Sequence, residues 1–231
     1  MPSRLKSGKL YIVATPIGHP EDITLRALKI LGEVDAVICE EIKLGSRLLK
    51  KLQIEKPLIV MNEHNEAESV QNILIDIMAG KSFALVSDCG TPVFADPGRL
   101  LITTMNEMDI KVIPIPGPSS LMAAISVCTF NLDQYQFVGF LPPKSDQRIA
   151  VLNRVSKSKL PLILMDTPYR LTRTLEEVIQ IFGKKQSIFV ACDLTLPGEV
   201  ILHGTAEDIL KKLFGQKKEF ILIIDKPQRR Y

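Results

Sequence analysis

The chain has 231 residues, 46% of them hydrophobic and 24% charged, with a formal net charge of +3. This is the balance of a globular protein with a sizeable core, so disorder is excluded, and the length suits one large domain or two small ones. No stretch approaches the ~18 consecutive apolar residues of a membrane span. The start, MPSRLKSGKLYIVATPIG, reads as a strand entering a turn, without a signal peptide's cleavage region, so a cytoplasmic protein with no membrane partner is expected.

Short apolar runs alternate with segments of helical period, the pattern of βαβ units. Strands are expected at Leu10–Ala14, Asp35–Cys39, Pro57–Val60, Ser82–Ser87 and Lys111–Pro114, with helices in the gaps. Asp22 is placed to cap a helix over Ile23–Leu31, Glu66–Ala79 should stop at Gly80, and Pro118 suits the first position of a helix running to Cys128. The second half predicts strands at Gln136–Phe140, Leu160–Met165, Ser187–Cys192, Glu199–His203 and Phe220–Ile224. Helices are expected over Ser145–Ser158, Tyr169–Ile181 and Ala206–Phe214. Strands that follow one another without a helix imply a mixed sheet there. The fold class is therefore α/β, with a mostly parallel sheet in residues 1–130 and a mixed sheet in 131–231, divided near TFNLDQY at 129–135.

The four cysteines, at 39, 89, 128 and 192, form no CxxC pair and have no histidine at ligand spacing. Cys39, Cys128 and Cys192 read as small core hydrophobes, and neither a disulfide framework nor a metal site is expected. Cations cluster at Arg4, Lys6 and Lys9, at Lys43, Arg47, Lys50 and Lys51, at Lys144, Arg148, Arg154, Lys157 and Lys159, and at Arg229 and Arg230. Solvated helix faces and an RNA-phosphate footprint both account for such groups.

In parallel α/β sheets ligands bind at the carboxyl ends of strands, and four strand exits carry residues that a sheet alone does not need. Ala14-Thr-Pro-Ile-Gly18 has a rigid Pro16 and a permissive Gly18. Val86–Gly98 packs two Gly, two Pro and two Asp into one long loop, where Gly90 admits close approach, Pro92 and Pro97 stiffen the chain, and Cys89 and Phe94 offer apolar contact. Ile113–Ser120 ends in Ser119 and Ser120, whose hydroxyls and N–H groups suit a polar ligand group at a helix start. Met165–Arg170 presents Asp166 and Arg170, either as ligand contacts or as an internal ion pair. The absence of GxGxxG and GxxxxGK[ST] disfavours dinucleotide-binding and P-loop folds.

Together, LYIVATPIGHPEDITLRAL, CEEIK, NEHNE, ALVSDCGTPVFADPG, VIPIPGPSS, GFLPPK and DTPYR resemble the tetrapyrrole methylase superfamily, the class III methyltransferases. The resemblance implies two α/β domains with S-adenosylmethionine in the cleft between them. It implies cofactor contacts at Pro16, at Cys89, Gly90 and Thr91, at Phe94, at Ser119 and Ser120, and around Asp166 and Leu194, with Asp88 and Pro92 in the same loop. The branch it is most similar to methylates the ribose 2′-oxygen of a cytidine in 16S rRNA, which implies the small ribosomal subunit or its rRNA as partner and a homodimer as the assembly. The chain departs from the family's usual CEDTR at Cys39-Glu-Glu-Ile-Lys43, from ESPHR at Asp166–Arg170, and from RELTKxHEE at Cys192–Glu199. A lysine cannot grip phosphate bidentately as arginine does.

A ribose hydroxyl is a poor nucleophile, so a proton acceptor is needed beside an aligned methyl donor. Glu40 and Glu41, at the exit of the second strand, are candidates for it. Lys43 and Arg170 could hold RNA phosphate, with His64 a weaker substrate candidate and His19 and His203 given no role. Two alternatives stay open: methylation of a tetrapyrrole carbon, and a relative that binds S-adenosylmethionine or RNA without catalysis.

Overall fold

The computed structural model describes residues 8–94 and 96–226; the cations Arg4, Lys6, Arg229 and Arg230 lie outside the described residues. Its first sheet is built from β1 (Leu10–Val13), β2 (Ala36–Cys39), β3 (Leu58–Val60), β4 (Phe83–Leu85) and β5 (Val112–Ile115) in the order β3-β2-β4-β1-β5. Every neighbouring pair is parallel, so all five strands deliver their carboxyl ends to one edge. The central β2 and β4 are buried throughout, as expected of strands covered on both faces.

The covering helices are α1 (Leu25–Glu33), α2 (Ile42–Lys51), α3 (Glu66–Met78) and α4 (Arg99–Glu107). Ile73, Ile77, Leu101 and Met105 of α3 and α4 pack on Leu10, Ile38, Phe83 and Leu85. Ala27, Leu31 and Leu49 of α1 and α2 pack on the other face, against Val13, Val37 and Ala84. Thr24, not Asp22, caps α1: its hydroxyl accepts from the Ala27 N–H at 3.1 Å, while Pro20–Asp22 forms a 3₁₀ turn. Gly80, at φ +97°, ends the turn after α3 as expected.

The second sheet runs β6-β7-β10-β8-β9, from β6 (Gln136–Phe140), β7 (Leu162–Asp166), β8 (Ser187–Cys192), β9 (Val200–Thr205) and β10 (Phe220–Ile224). It is mixed: β6 and β7 are parallel and the other pairs antiparallel. Helices α6 (Ser145–Val155), α7 (Leu171–Phe182) and α8 (Ala206–Leu213) cover one face through Leu152, Leu175, Val178 and Ile209. The other face, Ile163, Phe189, Ile221 and Ile223, is met by Leu121 and Ala124 of the short α5 (Ser120–Ser126).

That packing places α5 with the second sheet, and the chain groups into two compact units, residues 1–119 and 120–231. The sequence had put the division near 129–135, where polar residues interrupt the apolar period. No helix among the described residues is long and apolar enough to cross a membrane.

Candidate functional site

The exits of β1, β4 and β5 are laced to one another in the first unit. The Thr15 N–H donates to the Gly90 carbonyl at 2.8 Å, and the Gly90 N–H returns a bond to the Thr15 carbonyl at 3.1 Å. Thr15 is buried, and its hydroxyl donates to the Ser87 carbonyl at 3.4 Å. The Ser87 hydroxyl in turn donates to the Cys89 carbonyl at 2.9 Å. Gly90 sits at φ +77°, where an added Cβ would stand 3.2 Å from Cγ2 of Ile17. Glycine is therefore required twice over, by conformation and by space.

Thr91 reaches the third loop, its hydroxyl donating to the Pro118 carbonyl at 3.3 Å, and Gly117 lies so close to β1 that a Cβ would meet that of Ala14 at 3.0 Å. Gly90 and Pro92 are buried, while Asp88, Cys89, Thr91 and Phe94 stand on the exposed side of the loop and Pro16 is half-buried. Val93, a β-branched residue, is held at φ 68° in the same loop. Such strain persists only where the surroundings over-determine it, and it gathers at ligand sites. Ser119 and Ser120 are half-buried; the helix begins at Ser120, two residues later than expected, and has seven residues.

The exits of β2 and β3 form a second group. Glu40, Glu41, Asn62, Glu63, His64 and Asp88 line a cavity of about 310 Å³. Burial, then the charges of Asp88, Asp96, Glu63 and Glu41, push the Glu40 carboxyl above its usual range. Burial and Glu41 do the same to Asp88, and burial and Asp88 to Asp96. Crowded like charges disfavour ionisation, so this end of the sheet is electrostatically suited to a cation. His64 is exposed, its N–H held by Asn62 Oδ1 at 3.0 Å. Asn62 and Asn65 fold the NEHNE segment on itself, Asn65 accepting from the Asn62 N–H at 2.7 Å and donating to the Val60 carbonyl at 3.1 Å. Lys43 lies in the first turn of α2, exposed.

In the second unit Asp166 is buried. Its Oδ1 accepts from the Arg170 guanidinium and, at 2.8 Å, from the Thr167 N–H; its Oδ2 accepts from the Thr174 hydroxyl at 2.9 Å. The two side chains form an internal ion pair, and Arg170 also donates to the Leu141 carbonyl at 3.4 Å. Leu194 is partly buried against the face that α5 covers. Its loop is held by Asp193, which accepts from Lys218 at 2.6 Å, and contains Thr195 at φ 64°, a second strained β-branched residue.

Two residues missed in the sequence hold these loops in shape: Thr15 bridges to Gly90, and Glu66 binds the far end of the β4 loop. Arg148, grouped by the sequence with the clustered cations, is buried. Arg148 belongs to no surface patch: it donates to Glu177 at 2.7 and 2.8 Å and to the Pro143 carbonyl at 2.7 Å. Its helical spacing from Leu152 and Val155, both buried, was the signal available. Cys39 and Cys192 are buried thiols pushed up to about 11 and about 12, by burial first and by Asp88 and Asp193 second. They behave as core hydrophobes, as expected.

The tetrapyrrole (corrin/porphyrin) methylase family profile matches residues 9–210. The ribosomal RNA small subunit methyltransferase I of Halalkalibacterium halodurans is 35% identical over 220 residues, 94% of this chain and 76% of that protein. The protein of the same name from Thermotoga maritima is 37% identical over 211 residues, 91% of this chain and 94% of its own length. Among solved structures, the uroporphyrin-III-C-methyltransferase from Thermus thermophilus superposes with a TM-score of 0.64 over 95% of this chain and 94% of that one; at 21% identity it shows the fold alone.

Proposed function

The chain belongs to the tetrapyrrole methylase family, and from that premise we propose that it transfers the methyl group of S-adenosylmethionine to small-subunit ribosomal RNA, at the ribose 2′-oxygen of a cytidine in 16S rRNA. The observation that carries the reading is the identity, 35% and 37%, with two ribosomal RNA methyltransferases along nearly the whole chain. A homodimer in the cytoplasm, acting on the small subunit or its rRNA, belongs to the same proposal.

The residues present fit the cofactor. Gly90 brings main chain close where a side chain would clash, and Cys89, Thr91 and Phe94 are presented on the loop's outer side. The crowded carboxyls of Glu40, Asp88 and Asp96 favour a cationic group nearby. S-adenosylmethionine supplies a methyl already activated by a sulfonium, so the protein's task is alignment and proton removal. Pro16, Pro92, Ser119 and Ser120 complete the proposed cofactor contacts in the first unit, and Leu194 with the main chain at Asp166 those in the second.

Glu40 is the proposed proton acceptor. Its raised carboxyl is a stronger base than an ordinary glutamate once ionised, and the efficiency of a base rises as its pKa nears the working pH. Glu41 and His64 position the acceptor from the same cavity, and Lys43 holds phosphate. Arg170 is already committed to Asp166, which makes it a support for its loop.

The test incubates unmodified small subunits with methyl-labelled S-adenosylmethionine, then digests the RNA. Label on a cytidine ribose is expected. Label absent from RNA while calorimetry still detects the cofactor would overturn the acceptor; label on a base would overturn the 2′-oxygen.

A further inference from the structure

Helix α2 begins directly after Glu41, and its sequence IKLGSRLLKK puts Gly45 and Leu49 into the core. Lys43, Arg47 and Lys51 follow at intervals of four, so they lie along one exposed stripe, each step rising about 6 Å. Among the described residues none of the three is in an ion pair, whereas Lys29, Arg148, Arg170, Arg173 and Lys211 each are. The stripe opens onto a groove of about 220 Å³ whose walls are Arg47, Lys51 and Leu48 on one side and Pro16, Asp88 and Cys89 on the other. Asp88 also lines the acidic cavity that holds Glu40. One carboxylate is thus shared by an anionic pocket and a largely apolar groove whose other charged side chains are Arg47 and Lys51.

We propose that this groove is where the acceptor's phosphodiester backbone docks, with Arg47 and Lys51 on successive phosphates and the acidic pocket turning the backbone away on its far side. The inference rests on the RNA methyltransferase reading and adds to it the surface and the direction from which the strand approaches. Enclosed small-ligand pockets run from about 300 to 1,000 Å³; the smaller groove suits a chain lying across it. Unpaired cations on a rigid helix, beside the loops proposed to hold the methyl donor, supply the charge complementarity that a polyanion needs. An approach along α2 also explains how a strand of phosphates tolerates five carboxyls near the proposed reaction centre: the bases and ribose reach in, and the phosphates stay on the cationic side.

The experiment uses the full chain and rRNA extracted from unmodified small subunits, with affinities measured at 50 and 200 mM salt. Each phosphate contact carries a slope of about 0.7–0.9 in log affinity against log salt. The double substitution Arg47→Ala with Lys51→Ala should therefore shrink the ratio of the two affinities by about seven- to twelvefold, and weaken binding at the lower salt. Swapping the two, Arg47→Lys with Lys51→Arg, should restore most of the salt dependence. Lys111→Ala, at the opposite edge of the sheet just before β5, is the matched control and should leave it unchanged. An unaltered slope in the double variant, or an equal change in the control, overturns the docking surface while the methyltransferase reading stands. Loss of S-adenosylmethionine affinity in step with RNA affinity overturns it too, since the groove then belongs to the cofactor. Wild-type protein that binds neither the extracted rRNA nor the unmodified small subunit overturns both.

Discussion

The carboxylate of Glu66, in the first turn of α3, accepts a hydrogen bond from the N–H of Gly98 at 2.9 Å and another from that of Leu100 at 3.2 Å. It thereby caps the amino end of α4 from a neighbouring helix, since Gly98 has no side chain with which to do so. The loop that leaves β4 is thus tied at both ends, to Thr15 at Gly90 and to Glu66 at Gly98. Gly98 is itself at φ +126°, with Leu85 Cδ2 only 2.8 Å from where a Cβ would stand.

Replacing Glu66 by alanine leaves two N–H groups without an acceptor and frees that end of the loop. Hydrogen bonds to a charged group are worth about 1.5–3 kcal/mol, so Glu66→Ala should destabilise the first unit by about 2 kcal/mol and weaken S-adenosylmethionine binding. Urea unfolding and calorimetry measure the two effects. Glu66→Gln, which keeps an acceptor, should recover most of both; a variant with alanine that binds the cofactor as the wild type does would uncouple this tie from the site.

Two glycines make a contrasting pair. Gly90→Val places a β-branched residue at φ +77° and drives it toward Ile17, so strain of about 1–3 kcal/mol is expected, together with a cofactor affinity at least tenfold lower. Gly32 lies near the end of α1, and an added Cβ there meets nothing within 4 Å. Gly32→Ala should raise stability by up to about 1 kcal/mol, because the unfolded chain loses freedom and the helix does not. Thermal melts of both variants beside cofactor titrations check the contrast.

Much of the fold was legible because burial on both faces leaves a plain mark. The strands Ser187–Cys192 and Phe220–Ile224, buried almost throughout, run to the residues expected; Gln136–Phe140 does so too, although as an edge strand it is only partly buried. Helix starts were less legible, since Asp22 and Thr24 are both good caps and only the 3₁₀ turn decides between them. The candidate loops stood out by their proline and glycine content. The side chains that hold them did not: Glu66 and Gly98 are 32 positions apart, and no local period links them. Charge behaved likewise. The cations of α2 and Arg148 looked alike in sequence, but Arg148 had a buried glutamate waiting for it in α7.

That buried pair supplies a stability prediction. Burial alone would push the Glu177 carboxyl up; hydrogen bonds from Arg148, Ser145 and Arg173 and the Arg148 charge outweigh it and hold the group below its usual value. Its contribution is therefore present above the ordinary glutamate pKa of 4.5 and fades as pH falls below that value. Arg148→Leu leaves the buried Glu177 charge with only Ser145 and the more exposed Arg173 and should cost up to about 3–5 kcal/mol. Adding Glu177→Leu should return much of that loss, because two well-packed apolar side chains need no partner. Urea unfolding of the single and double variants at neutral pH decides it. A double variant no better than the single would mean that the carbonyls of Pro142 and Pro143, which Arg148 also binds, set the penalty.

The acidic pocket has the opposite sign. Glu40, Asp88 and Asp96 all have raised carboxyls in the folded chain, so the native state binds their protons more tightly than the unfolded state does. Stability from this cluster is present below the ordinary carboxylate range and is lost as pH rises through the raised values. Methyl transfer should run the other way: Glu40 accepts a proton only when ionised, so the rate climbs with pH across the same interval. Glu40→Gln should remove about 10²–10⁴ of the rate and flatten that limb. Asp96→Asn, which removes a charge acting on Glu40, should move the limb to lower pH without abolishing turnover. A pH–rate profile of labelled-methyl transfer compares the three proteins. An acid limb that stays in place in Asp96→Asn, or persists in Glu40→Gln, would assign the proton to another group.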